Sequence, residues 1–385
     1  MRIGFDAKRA FQNDTGLGNY SRTLLHSLAK YFPAHQYFLF APKLTEKFKT
    51  NGNQDFITVT ASQWLHKKFK GVWRRKWVMD DLIKNNIDIY HGLSHRIPKG
   101  ISKTKIPAVV TIHDLIFERF PKQYSFADRF IYRAQFKYAC KHGKAVIAMS
   151  EQTKQDLISY YKIAAEKIDV CYQSCDPKFK EKVAAGEKKN IRALYNLPEK
   201  YFLYVGSIIE RKNLLIICKA MLLLKEKSFI PIVVIGRGKN YQKVVQNFIR
   251  ENHLEKYFIF LSENAEANGN ISFKNSDHFP AIYQMSQALI YPSIFEGFGI
   301  PILEALCSGT PVLSSNASCL PEVGGDAAIY FNPADENELA NAMLRMTTDE
   351  NLRESMIKKG LQQAELFNEE RTAYGVMEVY KRRLS

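Results

Sequence analysis

Short apolar runs alternate with helical stretches along almost the whole chain, and this alternation restricts the possible folds most strongly. The runs are rich in Val, Ile, Tyr and Phe. In the first half they read RIGFDA, QYFLFAP, ITVTA, IDIYHGL, AVVTIHD, AVIAMS and IDVCYQ, and in the second half YFLYVGS, PIVVIG, FIFLS, ALIYPS, PVLSS and AIYF. Near-continuous apolar strands separated by helices are typical of parallel sheets with helices on both faces. The sequence therefore predicts an α/β chain built on two doubly wound sheets.

The series of strands restarts after a polar stretch, DPKFKEKVAAGEKKN, which lacks sustained apolar periodicity. A chain of 385 residues also fits two domains better than one. We place the boundary within 176–198 and predict domains at 1–180 and 181–365, followed by a C-terminal helix over 366–385 that packs back toward the first domain. Ligands are expected in the cleft between the carboxyl ends of the two sheets.

The positive charge is concentrated in the first half. Residues 1–180 contain 31 Lys and Arg against 15 Asp and Glu, whereas the remaining residues contain 24 of each, so the formal net charge of +16 belongs to the first half. Such a half attracts phosphates, nucleic acid or an anionic membrane. No nucleic-acid recognition motif accompanies it, and we expect no nucleic-acid partner.

No apolar run approaches the roughly 18 residues that a membrane span requires, and the N-terminus reads as a buried strand instead of a signal peptide. The six cysteines include no Cys-x-x-Cys pair. We expect a cytoplasmic protein with reduced thiols.

The stretch EGFGIPILEALCSG sets Glu296 and Glu304 eight positions apart in a loop and the helix that follows it. Glycines let a backbone approach a ligand, and the free N–H groups at a helix start suit a phosphate. We place Glu304 in the first turn of that helix. Carboxylates accept hydrogen bonds from sugar hydroxyls, so the stretch fits a nucleotide sugar. The alternative is that Glu304 only complements the helix dipole.

Three other stretches carry candidate residues. GSIIERKNL places Arg211 and Lys212 after the first strand of the second half, where they suit a diphosphate leaving group, and Asn213 is predicted to cap the next helix. An ordinary solvated cation pair is the alternative. NDTGLGNYSRTLL has two glycines just before the first helix, a pattern shared by phosphate-cradling turns and plain helix-entry loops. TIHDLIF puts His113 at a strand end, either in a site or as a structural histidine.

These four stretches, together with HGLSHRIP, ASCLPEVGGDAAIYFNP and MSEQTKQDL, resemble the retaining glycosyltransferases of group 1, or family 4, over nearly the whole chain. The resemblance implies a GT-B fold: two Rossmann-like domains that face each other across a cleft, with a helical C-terminus. The acceptor would bind mainly to the first domain and the nucleotide sugar mainly to the second.

The resemblance also implies roles for individual residues. Glu296 would contact the donor sugar, Glu304 the ribose, Arg211 and Lys212 the diphosphate, and His113 would lie beside the sugar. The predicted catalytic residues are His113, Glu296, Arg211 and Lys212; the donor-binding residues are Gly16, Leu17, Gly18, Arg211, Lys212, Glu296, Gly297, Phe298, Gly299, Ile300 and Glu304; and the acceptor-binding residues are Asn19, Ser94 and Asp114.

Family members usually work without a metal, and the chain contains no Asp-x-Asp, so we expect neither a metal nor another cofactor. No unassigned carboxylate fits a covalent nucleophile, which favours a front-face reaction in which the leaving diphosphate helps to accept the proton. The chain departs from the family pattern at Gln173–Asp176 and in the long polar segment SENAEANGNISFKNSDHF, at the expected base-binding edge.

Residues 62–84 contain all three tryptophans. Phe69, Trp73 and Trp77 are four apart and are predicted to share one helical face, with six Lys and Arg residues around them. Such a helix suits an anionic lipid surface, and the alternative is a core helix with solvated cations. Both interpretations stay open from the sequence.

The leading interpretation is a cytoplasmic, metal-independent hexosyltransferase, peripheral on the inner face of the membrane. Its donor would be GDP-mannose or a UDP-sugar, and its acceptor a glycan, most naturally a lipid-linked intermediate of a surface polysaccharide. The alternative is a catalytically inactive protein of GT-B shape that binds glycan or anionic lipid.

Overall fold

The structure, a computed structural model, describes residues 1–13, 15–48, 56–225 and 230–384. The chain forms two compact units. The first comprises Met1–Ser174 and Phe367–Ser385, and the second comprises Cys175–Leu366. The chain therefore passes from the first unit to the second after Ser174, whereas the predicted boundary was after residue 180.

The first unit contains a parallel seven-stranded sheet. Its strands are β1 (Arg2–Asp6), β2 (Gln36–Phe40), β3 (Phe56–Val59), β4 (Ile89–Gly92), β5 (Ala108–Ile112), β6 (Ala145–Ala148) and β7 (Ile168–Val170). The strand order is β3-β2-β1-β4-β5-β6-β7. Ile3 pairs with Tyr37 on one side and with Ile89 on the other.

Helices cover this sheet on both faces, as near-continuous apolar strands require. They span Lys8–Gln12, Gly16–Tyr31, Trp64–Lys68, Lys70–Val72, Val78–Lys84, Ile116–Arg119, Phe126–His142, Glu151–Tyr161 and Glu369–Leu384. The C-terminal helix Glu369–Leu384 belongs to this first unit and buries Val376, Met377 and Tyr380.

The prediction of one continuous helical face through Phe69, Trp73 and Trp77 is wrong. The first helix of this region ends at Lys68, and residues Trp73–Trp77 form a π-helical turn. Trp73 is fully buried, and its Nε1–H donates to Asp81 at 2.7 Å, whereas Phe69 is exposed. The change in helical pitch separates side chains that a regular helix would align.

The second unit contains a parallel six-stranded sheet. Its strands are β8 (Phe202–Val205), β9 (Ile232–Ile235), β10 (Phe258–Phe260), β11 (Ala288–Tyr291), β12 (Val312–Ser315) and β13 (Ala328–Phe331). The strand order is β10-β9-β8-β11-β12-β13. Every predicted apolar run in the two halves coincides with a strand, and the predicted pair of doubly wound α/β sheets is confirmed.

The helices of the second unit span Ala185–Tyr195, Leu214–Leu224, Asn240–Glu251, Ala265–Gly269, Ile271–Lys274, Phe279–Gln284, Ile300–Cys307, Leu320–Gly324, Glu336–Thr348 and Glu350–Ala364. The first of them lies in the stretch expected to lack helical periodicity. Its buried face is short, with only Ile191 and Tyr195 fully covered, so the apolar signal in the sequence is weak. No helix among the described residues is long and apolar enough to cross a bilayer.

Each sheet reverses its strand order once, between β1 and β4 in the first unit and between β8 and β11 in the second. Loops that leave the carboxyl ends of the strands on either side of such a reversal diverge. The divergence opens a crevice in which ligands of doubly wound sheets bind. Ligand-binding residues of both units are therefore expected at these two reversal points.

Candidate functional site

Three predicted residues of the second unit form an ion cluster at the reversal point between β8 and β11. Arg211 and Lys212 lie on a 3₁₀ turn that follows β8, and Glu296 lies in the loop that follows β11. The Oε1 atom of Glu296 is 2.9 Å from Nη1 of Arg211 and 2.7 Å from Nζ of Lys212. The fold thus brings together side chains that are 84 or more positions apart in sequence.

The cluster is buried and carries more positive than negative charge. Burial lowers the pKa of Lys212; Glu296 opposes this shift and Arg211 adds to it. Burial alone would raise the pKa of Glu296, but Lys212 and Arg211 outweigh it and hold that pKa below its ordinary value. Because two positive charges face one negative charge, the cluster still attracts a further anion.

Tyr291 and Phe295 hold the two cations in place, and the sequence interpretation missed both. Nζ of Lys212 donates to the Tyr291 hydroxyl at 2.6 Å, and the same Nζ lies 4.8 Å from the centre of the Tyr291 ring. Nη1 of Arg211 donates to the carbonyl of Phe295. The signal available in the sequence was the tyrosine that ends the strand in ALIYPS.

The loop after Glu296 is shaped by glycine and by a second loop. Gly299 has φ of 108°, and a Cβ atom there would lie 2.9 Å from Cδ2 of Leu320. The Ser318 hydroxyl donates to the Glu296 carbonyl at 2.7 Å, and Cys319 Sγ lies 3.2 Å from the carbonyls of Glu296 and Phe298. The ASCLPE stretch therefore supports the glutamate loop from behind.

The start of helix Ile300–Cys307 offers fewer free donors than predicted. Pro301 has no N–H, and the N–H groups of Ile302 and Leu303 donate to the Gly299 carbonyl. The Leu303 bond is the usual four-residue bond of a helix, whereas the Ile302 bond uses an N–H that would otherwise be free. The cations of the cluster, more than this helix start, thus provide the positive charge near Gly297, Phe298 and Ile300.

Glu304 is the fifth residue of that helix and lies beyond its first turn, in which we placed it, because the helix already begins at Ile300. Its Oε2 accepts a hydrogen bond from the hydroxyl of the buried Tyr283 at 2.8 Å. Burial raises the pKa of Glu304 to about 7; the bond from Tyr283 and the charge of Lys178 oppose the shift, and Asp176 adds to it. Glu304 is therefore a separate group beside Tyr283, not a member of the ion cluster.

Asn213 occupies the N-cap position of helix Leu214–Leu224, but its side chain does not cap that helix. Its backbone is left-handed, with φ of 55°, and its Nδ2 donates to the carbonyl of Pro333 at 2.8 Å. The predicted cap is wrong because this backbone conformation directs the amide toward the loop after β13.

In the first unit, the glycine turn stands at the start of helix Gly16–Tyr31. The sequence predicted that the glycines come just before the first helix. That prediction is wrong, because the short helix Lys8–Gln12 precedes helix Gly16–Tyr31. The side chain of Asn13 accepts from the N–H groups of Thr15 and Gly18, each at 3.0 Å. A Cβ atom on Gly18 would lie 2.0 Å from the Asn13 carbonyl oxygen, so this position requires glycine. Leu17 lies within the same first turn.

His113 follows β5 and is buried among other aromatic residues. Its Nε2 lies 2.9 Å from the carbonyl of Leu93, so Nε2 carries the proton and donates. The rings of Tyr20 and His95 meet it edge to face, with centroids 4.7 and 5.1 Å away. Burial lowers the pKa of His113 to about 4, so the ring is neutral at neutral pH and Nδ1 is a hydrogen-bond acceptor.

A buried polar network connects Tyr20 to the C-terminal helix. The Tyr20 hydroxyl lies 3.1 Å from Thr111 Oγ1, which lies 2.8 Å from Nε2 of His91. Nδ1 of His91 lies 2.6 Å from the hydroxyl of Tyr380. Burial lowers the pKa of His91 to about 3, so this histidine is also neutral. The sequence interpretation included neither His91 nor Tyr380.

The predicted acceptor-binding residues lie near these groups in different environments. Ser94 follows β4 and is buried, and its hydroxyl has no hydrogen-bond partner among the described residues. Asp114 Oδ1 accepts from the N–H of Ile116 at 3.0 Å. Asn19 is exposed and accepts from Nη2 of Arg22 at 2.5 Å.

The structure thus forms two groups of predicted residues, one in each unit. The first unit gathers the glycine turn, Ser94, His113 and Asp114 on loops at the carboxyl edge of its sheet. The second unit gathers Arg211, Lys212 and Glu296, with Gly297–Ile300 next in the chain and Glu304 one turn further along the helix. The second group contains two buried cations and one carboxylate at a reversal point of its sheet, an arrangement that suits a phosphate-bearing ligand.

Comparison with known families gives the class a name. Residues 187–363 match the model described as "Glycosyl transferases group 1", and residues 15–179 match the model described as "Glycosyltransferase Family 4". Together the two matches cover most of the chain. The chain belongs to the group 1, or family 4, glycosyltransferases.

Individual proteins agree with this assignment. The chain is 25% identical to the O-antigen chain mannosyltransferase B of Escherichia coli, over 99% of this chain and 100% of that protein. It is 31% identical to the O-antigen chain mannosyltransferase RfbU of Salmonella typhimurium, over 65% of this chain and 62% of that protein.

A solved structure shows the same fold. The crystal structure of HepE from Anabaena in complex with UDP-glucose matches with a TM-score of 0.73 at 18% identity, over 99% of this chain and 100% of that one. The fold class predicted from the sequence, GT-B, is thereby confirmed. At this identity the likeness concerns the fold alone.

Proposed function

We propose that this chain is a retaining mannosyltransferase that uses GDP-mannose and a lipid-linked glycan acceptor in the synthesis of a surface polysaccharide. The observation that carries the proposal is the buried Arg211–Lys212–Glu296 cluster at the β8–β11 reversal point. The sugar and the acceptor are supported by the names of the relatives, which are O-antigen mannosyltransferases of two bacteria.

The cluster suits the departure of a nucleoside diphosphate. Negative charge grows on the diphosphate as the sugar bond breaks, and preorganised cations in a buried site stabilise that charge strongly. Arg211 and Lys212 would exchange part of their contact with Glu296 for the phosphates. The carboxylate of Glu296 could then accept hydrogen bonds from sugar hydroxyls. We propose metal-independent transfer because the chain supplies these cations itself.

His113 is proposed to orient the sugar without serving as an obligatory base. Its ring is neutral, and its Nε2–H is held by the Leu93 carbonyl, so Nδ1 can accept a hydrogen bond from a sugar hydroxyl. With a pKa near 4 it would hold an abstracted proton poorly. A front-face reaction, in which the leaving diphosphate helps to accept the proton, is the mechanism we propose for retention.

For the location we propose the cytoplasmic side of the membrane, with the basic first unit at an anionic lipid surface. The support is the excess of Lys and Arg in residues 1–180 and a lipid-linked acceptor, which would require access to a bilayer. We further propose that residues 1–180 and 181–365 act as acceptor-binding and donor-binding domains respectively.

The deciding experiment measures nucleotide release from GDP-mannose, with UDP-glucose and UDP-galactose as competitors, by the purified protein with a lipid-linked glycan. Lys212→Ala should lose release, whereas Lys219→Ala, which removes an exposed cation from helix Leu214–Leu224, should retain it. Activity in excess EDTA and an α-linked product by NMR are also expected. A protein that binds glycan or lipid but cleaves none of the donors would favour the inactive alternative and overturn the proposal.

A further inference from the structure

Helix Phe126–His142 of the first unit carries an apolar face on its solvent side. Phe136, Ala139 and Cys140 pack into the core, as a helix that covers a sheet requires. On the solvent side, Phe126 is 83% exposed, Phe130 68% and Ile131 56%. A helix that only meets water presents polar side chains there, so this face indicates a second contact.

A second apolar segment lies on the same layer of helices. Trp64 is 70% exposed, and Leu65 and Phe69 are also exposed. Trp73 of this segment shares a hydrophobic core with Phe136 on one face of the sheet. We use the term "apolar patch" for Trp64, Leu65, Phe69, Phe126, Phe130 and Ile131.

One loop connects the two segments directly. The N–H of Lys99 donates to the Arg75 carbonyl at 2.7 Å, and the N–H of Gly100 donates to the Tyr138 hydroxyl at 2.8 Å. Arg75 lies in the π-helical turn that follows the first segment, and Tyr138 lies on helix Phe126–His142. The two segments are therefore linked to each other through the loop at Lys99 and Gly100.

Cations border both halves of the apolar patch. Residues 62–76 contain six Lys and Arg residues and no Asp or Glu. Nζ of Lys68 lies 5.2 Å from the centre of the Trp64 ring. On the other helix, Lys137 and Lys141 are exposed and lie on the same face as Phe130, as their spacing of 7 and 11 residues requires. Exposed aromatic side chains beside lysines match the boundary between acyl chains and anionic headgroups.

We infer that the apolar patch is a docking surface for an anionic lipid bilayer. Both halves follow the carboxyl ends of their strands, Trp64 after β3 and Phe126 after β5, on the side of the sheet where His113 lies. Docking would therefore bring the edge proposed to receive the acceptor toward the lipid. This last step rests on the proposed function, whereas the docking, which assigns residues to the membrane location proposed above, does not depend on sugar transfer.

The test is co-sedimentation of the full chain with phosphatidylcholine vesicles that contain or lack 30% phosphatidylglycerol, a composition chosen for about one anionic lipid in three. Wild type should bind the anionic vesicles and release in high salt. The triple variant Phe126→Ser, Phe130→Ser and Ile131→Ser should bind about tenfold or more weakly. A matched control replaces three exposed apolar residues of the second unit by serine, Leu223, Val244 and Ile271, and should bind like wild type.

Sedimentation velocity and nucleotide release identify the other outcomes. Loss of a dimer in the triple variant, with vesicle binding unchanged, would show that a second copy covers the patch and would overturn the inference. Equal binding by the triple variant, the control and wild type would also overturn it. Vesicle binding that depends on the patch, in a protein that cleaves no sugar nucleotide, would reject the proposed function and leave the docking surface standing.

Discussion

Replacing Glu304 by glutamine is expected to stabilise the second unit above neutral pH and to weaken nucleotide binding at the same time. Burial raises the pKa of Glu304 from 4.5 to about 7. The folded carboxyl therefore keeps a proton that the unfolded chain has already lost between these two pH values. The contribution of Glu304 to the free energy of unfolding therefore falls as pH rises from about 4.5 to about 7, and stays lower above that pH.

The size of the effect follows from the shift. A rise from 4.5 to about 7 corresponds to about 3 kcal/mol at full conversion. Because the side chain is not completely withdrawn from water, we expect about 2 kcal/mol at pH 8. Glutamine keeps an oxygen that can accept from the Tyr283 hydroxyl, now at 2.8 Å, so the variant should lose no buried hydrogen bond. Near pH 4.5 the variant and wild type should be equally stable.

The assay is urea unfolding from pH 4.5 to 8, followed by far-ultraviolet circular dichroism and tryptophan fluorescence. All three tryptophans lie in the first unit, so a dichroism change without a fluorescence change reports the second unit. The control Glu251→Gln alters an exposed carboxylate at the end of helix Asn240–Glu251. A stability difference that is equal at every pH would refute the ionisation argument, as would a wild type that is the more stable protein at pH 8.

Nucleotide binding measured on the same samples tests the ribose assignment. A carboxylate accepts stronger hydrogen bonds from ribose hydroxyls than an amide does, so Glu304→Gln should bind GDP about tenfold more weakly at pH 8. Unchanged GDP affinity would show that the second glutamate of the EGFG stretch does not hold the ribose. A more stable protein that binds its ligand less well is the expected signature of a functional carboxylate.

Three further substitutions test other parts of the structure. Lys212→Met should reduce nucleotide release about 100-fold or more, because one cation that stabilises the leaving diphosphate is lost; a loss below about tenfold would contradict the proposed role. Gly299→Ala should lower the free energy of unfolding by about 1–3 kcal/mol, since its φ of 108° strains any other residue; Gly186→Ala, with nothing near the added Cβ, is the control and should cost less. Tyr380→Phe should cost about 1–3 kcal/mol in the first unit, because it leaves the buried ring of His91 without its 2.6 Å partner; an unchanged urea midpoint would show that this network adds no stability.

The sequence by itself determined the strands, the fold class and the residue types of the ion cluster. Strands of parallel sheets are buried on both faces, and their apolar runs are visible without knowledge of their neighbours. Arg211, Lys212 and Glu296 could be singled out because each follows such a strand, where loops of doubly wound sheets meet ligands. The short helix Ala185–Tyr195 escaped detection because its face buries too little apolar surface to leave a pattern.

Only the tertiary structure decided which side chains meet and which remain in water. His91 and Tyr380 are 289 positions apart, and nothing local marks them as partners. Trp64 and Trp73 look alike in sequence, yet one is 70% exposed and the other fully buried, because a π-helical turn changes the face that packs on the sheet. The pKa of Glu304 depends in the same way on burial and on Tyr283 from another helix. Periodicity along the chain records where a segment can be buried, whereas contacts and electrostatics depend on the residues that fold against it.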